Sequence, residues 1–133
     1  MWAYFVAAAV FTAAPQNVPG CPLANQKPML VTEFFFGRDA GPAGQVTDAD
    51  WNAFARGTIA KYFPDGFTVT DGEGRWLDPS TRRIVSEQSK IVIAAARGGA
   101  GLSKRIEAVI DAYKVRFHQK SVGVLTTTEC GKF

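Results

Sequence analysis

The chain has 133 residues, 47% of them hydrophobic and 20% charged, and a net charge of +3 from 15 basic and 12 acidic residues. That length fits one domain with a core that needs no metal, and the basic residues are scattered rather than grouped, which argues against nucleic acid as a partner. One histidine and two cysteines exclude a Cys- or His-rich structural zinc centre of ordinary ligand count. No metal and no cofactor are expected.

From Met1 to Ala14 the chain is apolar or small and uncharged, and Pro15-Gln16-Asn17 ends the run. The run is shorter than the ~20 residues a membrane-spanning helix needs. It reads as the hydrophobic region of a secretory signal peptide within a leader of residues 1–20, although no Lys or Arg precedes it and Pro15 follows the small-residue site Thr12-Ala13-Ala14. Residues 21–133 are then a single exported domain, periplasmic or secreted. Val18-Pro19-Gly20-Cys21 leaves an alternative open, a chain anchored by a lipid on Cys21.

Cys21 to Pro28 is an extended arm, and Met29 to Phe36 a strand with Val31, Glu33 and Phe35 on one face and Thr32, Phe34 and Phe36 on the other. Thr47, Asp48 and Asp50 open a helix whose apolar stripe is Trp51, Phe54, Thr58, Ile59, Tyr62 and Phe63, closed by Pro64-Asp65-Gly66. A second strand starts at Phe67, where Gly72 and Gly74 suggest a bulge that curls it. Asp78-Pro79-Ser80-Thr81 turns the chain into a third strand. That strand ends in Ile91-Val92-Ile93-Ala94-Ala95-Ala96, an unbroken apolar run that reads as central and buried on both faces.

Gly101 to His118 is an amphipathic helix with Leu102, Ile106, Val109, Ile110, Tyr113 and Phe117 on its apolar side. Ser121 to Thr128 is the last strand. The order strand, helix, strand, strand, helix, strand predicts an α+β, ferredoxin-like βαββαβ sandwich. Two helices cover one face of a four-stranded antiparallel or mixed sheet, with a long curled hairpin between the second and third strands.

Several blocks, taken in order and spacing, resemble a known family. They are Thr32-Glu33-Phe34-Phe35-Phe36-Gly37, Trp51 with Phe54, Phe63-Pro64-Asp65-Gly66-Phe67-Thr68-Val69, Gly74-Arg75-Trp76, Glu87-Gln88-Ser89-Lys90, and Tyr113 to Val122. Together they look like the domain of unknown function 3574 family, over about Thr32 to Cys130. The resemblance implies a bacterial protein, commonly exported, with a late cysteine such as Cys130 and no assigned activity. Lys61-Tyr62 stands where the family has Pro-Arg, and Lys120 where it has an acid.

No catalytic constellation is recognisable. Gly98-Gly99-Ala100-Gly101 lacks the spacing and the Lys-Ser/Thr of a phosphate loop, the serines form no nucleophile elbow, and His118 sits at a helix end. What remains is a candidate polar cluster, Glu33, Glu87, Ser89 and Lys90 on strands with Arg116 and Gln119 after the second helix. With the first and third strands as parallel neighbours, Glu33 and Lys90 would meet as an ion pair, and such pairs are more often structural than functional. Two functions fit: an exported module that binds a partner or small ligand, and a small enzyme with its site on the open sheet face, in the manner of dimeric α+β barrels. The first and last strands are expected as antiparallel neighbours, which brings Cys21 and Cys130 to one sheet edge as a disulfide. Because helices cover one face only, a homodimer packed through the other face is expected.

Overall fold

The computed structural model describes residues 20–133, so the leader predicted over residues 1–20 lies, except for Gly20, outside the described residues. Strand β1 (Lys27–Gly37) sets the layering, since its even- and odd-numbered side chains point to opposite faces. Phe34 and Phe36 are fully buried and Thr32 is 1% exposed, while Phe35 on the other face is 36% exposed.

Thr47 starts α1 (Asp48–Phe54) with a reciprocal capping box. Its hydroxyl accepts from the Asp50 N–H at 3.1 Å, and the Asp50 carboxylate accepts from the Thr47 hydroxyl at 2.6 Å and from the Thr47 N–H at 3.4 Å. The rod continues through a π-helical turn, Ala55–Ile59, and a closing turn α2 (Ala60–Tyr62). The wider turn admits an extra residue and rotates the residues after it about the helix axis, so Ala55, Ile59 and Phe63 join Trp51 and Phe54 in the core. Thr58 and Tyr62, which a regular helix would place on the stripe, are only half-buried. Helix α3 (Leu102–Phe117) buries Leu102, Ile106, Val109, Tyr113 and Phe117 and stops at His118, which takes a left-handed conformation while its N–H still donates to the Lys114 carbonyl.

Strands β2 (Thr68–Leu77), β3 (Ile84–Arg97) and β4 (Gly123–Gly131) complete one antiparallel sheet in the order β2-β3-β1-β4. The protein is therefore an α+β fold in which two helical rods pack on one face of a four-stranded sheet. The core lies between the layers: the Phe36 ring stands 4.7 Å from Tyr113, 5.2 Å from Trp51 and 5.9 Å from Phe54, centroid to centroid. Cys21 and Cys130 form the expected disulfide, with Cα atoms 5.6 Å apart. The pairing of Pro28 with Cys130 explains it, because the arm before β1 leaves the sheet where β4 ends.

Three expectations are corrected. The β2–β3 hairpin is long but runs in unbroken register from Thr68 opposite Ile93 to Leu77 opposite Ile84, with no bulge at Gly72 or Gly74. Gly72 answers to close approach instead, since a Cβ there would sit 3.0 Å from both the Ser89 hydroxyl and the Ile91 side chain. The apolar run of β3 is buried on one face only: Val92, Ala94 and Ala96 face the helices, and Ile93 on the other side is exposed. Finally, β1 and β3 are antiparallel rather than parallel, because α1 carries the chain past β3's place and the hairpin brings β3 back in the reverse direction.

Thr32 lies on the helix-facing side, paired across the sheet with Ala94 and Thr126, with a buried hydroxyl that has no hydrogen-bond partner. An unpaired buried hydroxyl is unfavourable by about 1–3 kcal/mol. Thr32→Val is therefore expected to raise stability by about 1 kcal/mol, read as a higher urea midpoint at unchanged slope.

Candidate functional site

Side-chain parity decides which predicted site residues share a face. Glu33 pairs with Ile93 and Leu125, whereas Lys90 pairs with Phe36, so the two point to opposite sides of the sheet. The expected Glu33–Lys90 ion pair does not form. On the helix side the Lys90 ammonium bridges Asp71 on β2 and, at 3.7 Å, Asp48 in the first turn of α1, which Arg38 also holds at 2.8 Å. The Lys90 hydrogen bond and charge hold the Asp71 carboxyl below its ordinary value of 3.8. This group ties the start of α1 to the hairpin and to the end of β1, which is a structural task. Arg116 also lies on the helix side, exposed, with its guanidinium 5.3 Å from the Phe117 ring centre, and does not reach Glu33.

Two other members of the predicted cluster do converge. The Asp39 N–H donates to Glu87 Oε1 at 2.9 Å, and Gln119 Nε2 donates to the Asp39 carbonyl at 2.6 Å, so both secure the turn after β1. The Glu87 carboxylate lies directly over Gly37, where any Cβ would collide with it. Beneath the same glycine the Tyr113 hydroxyl donates to the Gly37 carbonyl at 2.7 Å, and burial pushes that phenol above its ordinary range. Ser89 lies on the open face beside Glu87.

Odd-numbered residues of β1, β3 and β4 and even-numbered residues of β2 form the open face. Its middle is apolar, with Val31, Phe35, Ile91, Ile93 and Leu125 around the half-buried Glu33, for which no cation lies within ion-pair distance among the described residues. Towards the start of β1 the face hollows into a cavity of about 720 Å³. Its floor is Met29, Ile93 and Ala95, its wall includes Phe67, and its charged side chains are Lys27, Arg97 and Lys132 against Asp65. Sequence reasoning passed over these residues. The available signal was that Lys27 and Arg97 cap opposite ends of β1 and β3 on the odd-numbered face, which antiparallel pairing brings together through the contact of Met29 with Arg97.

The arrangement offers cationic hydrogen-bond donors beside an apolar floor. Among the described residues no three His, Cys, Asp or Glu side chains are grouped to hold a metal, and no helix is long and apolar enough to cross a membrane.

Solved structures share the fold, among them two of phage SAM lyase. A phage SAM lyase in complex with S-methyl-5'-thioadenosine matches with a TM-score of 0.57 at 16% identity, covering 77% of this chain and 90% of that one. The apo form of phage SAM lyase matches with a TM-score of 0.54 at 17% identity, covering 78% and 90%. No curated protein matches the chain in sequence. The family described as "Protein of unknown function (DUF3574)" matches residues 31–133, from the middle of β1 through β4, and to that family the chain belongs.

Proposed function

We propose that residues 21–133 form one exported domain that binds a small amphipathic organic anion in the cavity on its open sheet face. The observation that carries this reading is the lining: three cationic side chains to one acidic side chain over an apolar floor. A volume of about 720 Å³ lies within the ~300–1,000 Å³ usual for small-molecule sites. A carboxylate or phosphate would take charge-assisted hydrogen bonds from Arg97, Lys27 or Lys132, and its hydrocarbon part would cover Met29, Ile93 and Ala95. The βαββαβ chain with sheet order β2-β3-β1-β4 supports a ferredoxin-like reading, which keeps that face free of helices. Export is supported by the Cys21–Cys130 disulfide, since such bonds persist in oxidising compartments. The same bond supports export without a lipid anchor, since it engages the Cys21 sulfur.

The test is a thermal-shift and native mass-spectrometry series with inorganic phosphate, acetate, benzoate and octanoate. Stabilisation should grow with the apolar part of the anion, and saturation at a hundred times the dissociation constant should add about 2.7 kcal/mol. Arg97→Glu should abolish the shift while leaving the unliganded melting temperature close to wild type, because Arg97 is exposed. No shift with any organic anion defeats the proposal.

A second reading, a small enzyme acting on the open face, is favoured by the fold shared with phage SAM lyase. The cavity's charge argues against a sulfonium cation as its occupant. Consumption of S-adenosylmethionine by purified protein, lost in Asp65→Asn, would favour the enzyme reading over the binding one.

A further inference from the structure

The two edges of the sheet are built differently. The β2 edge carries Asp71, Glu73 and Arg75 interleaved with Gly72 and Gly74, and both charge and glycine discourage another strand from pairing. The β4 edge reads Gly-Val-Leu-Thr-Thr-Thr-Glu-Cys-Gly, with Glu129 its one charge and no proline. Every residue from Gly123 to Glu129 is exposed, including Val124 on the helix side and Leu125 on the open side, so the helices stop short of this strand and both its faces are wet. One side of β4 pairs with β1, and its outer backbone has no strand partner among the described residues. An unguarded edge rich in β-branched residues is a template for a further strand.

We propose that β4 docks against β4 of a second copy of this chain, joining two four-stranded sheets into one continuous antiparallel sheet about a two-fold axis. The segment Val124–Thr128 is neutral and self-complementary. In a register centred on Thr126, Val124 stands opposite Thr128, Leu125 opposite Thr127, and Thr126 opposite its own copy. All are pairings of β-branched or apolar residues that stabilise neighbouring strands. Glu129 then faces Gly123, so no carboxylate meets its copy. The disulfide at Cys130 anchors the end of this edge in its extended form. The sequence-based alternative, packing through the open face, would enclose Glu33 of each copy between apolar surfaces with no cation in reach among the described residues. Edge pairing leaves both carboxylates in water and the cavity open.

Sedimentation analysis of the full oxidised chain at micromolar concentration tests this. The expected mass is twice the 14.4 kDa of one chain. Thr126→Lys, which sets two ammonium groups opposite each other, should give a monomer with an unchanged far-UV spectrum, and Val69→Lys on the other edge should stay dimeric. If Thr126→Lys perturbs the fold, T126C decides: it should cross-link into a covalent dimer under mild oxidation, whereas V69C should not. A monomeric wild type, a Thr126→Lys variant that remains dimeric, or T126C that fails to cross-link overturns the proposal.

Discussion

Replacing Cys21 and Cys130 together by serine is expected to lower the free energy of unfolding by about 4–5 kcal/mol. The bridge closes a loop of 109 residues, nearly all of the described chain, so in the unfolded ensemble it removes the freedom of almost the whole molecule. It also holds the arm before β1 at the sheet: Gln26, in that arm, donates to the Cys130 carbonyl at 3.0 Å, a contact that should loosen without the bridge. Urea unfolding of the double variant, and of wild type with a reductant, should show the same loss in both, with a steeper denaturant slope as the unfolded state expands. A loss below about 1 kcal/mol would mean that the chain-entropy account does not describe this bridge.

Phe36→Ala is expected to remove a further large share of stability, about 3–5 kcal/mol. Phe36 is fully buried and its ring touches those of Phe34, Trp51, Phe54 and Tyr113, so truncation opens a cavity where both helical rods meet the sheet. The neighbouring Phe35 provides the control. It is 36% exposed on the open face, and Phe35→Ala should be destabilising by about 1 kcal/mol, in proportion to the apolar area it still shields. The difference between two adjacent phenylalanines, read from urea midpoints, measures the layering directly. Equal losses would mean that the open face is covered in solution.

Much of the fold was legible because local signals repeat in register with local geometry. The helix start at Thr47, Asp48 and Asp50, the stripe of α3 and the alternation through Phe34, Phe35 and Phe36 each depend on residues within a turn or two. The π-helical turn was not legible, because no residue in Ala55–Ile59 encodes it; it answers to the need of Ile59 and Phe63 to reach the core. Gly72 of β2 was misread for a related reason. A glycine in a strand marks either a bulge or a close neighbour, and only the neighbour's identity, Ser89 across the hairpin, distinguishes the two.

The candidate site divides along the same line. By itself the sequence determined the elements, their order, the family resemblance and the disulfide, since each comes from composition, periodicity, block order or the proximity of chain ends that this element order requires. Tertiary structure alone decided that Glu33 and Lys90 lie on opposite faces, because a side chain's face depends on register against its neighbours, and one reversed strand direction changes every partner. It alone assembled the cavity, whose lining comes from residues near 27, 66, 95 and 132. Those positions are remote along the chain, and no periodicity links them; antiparallel pairing of β1 with both β3 and β4 brings them to one end of the open face.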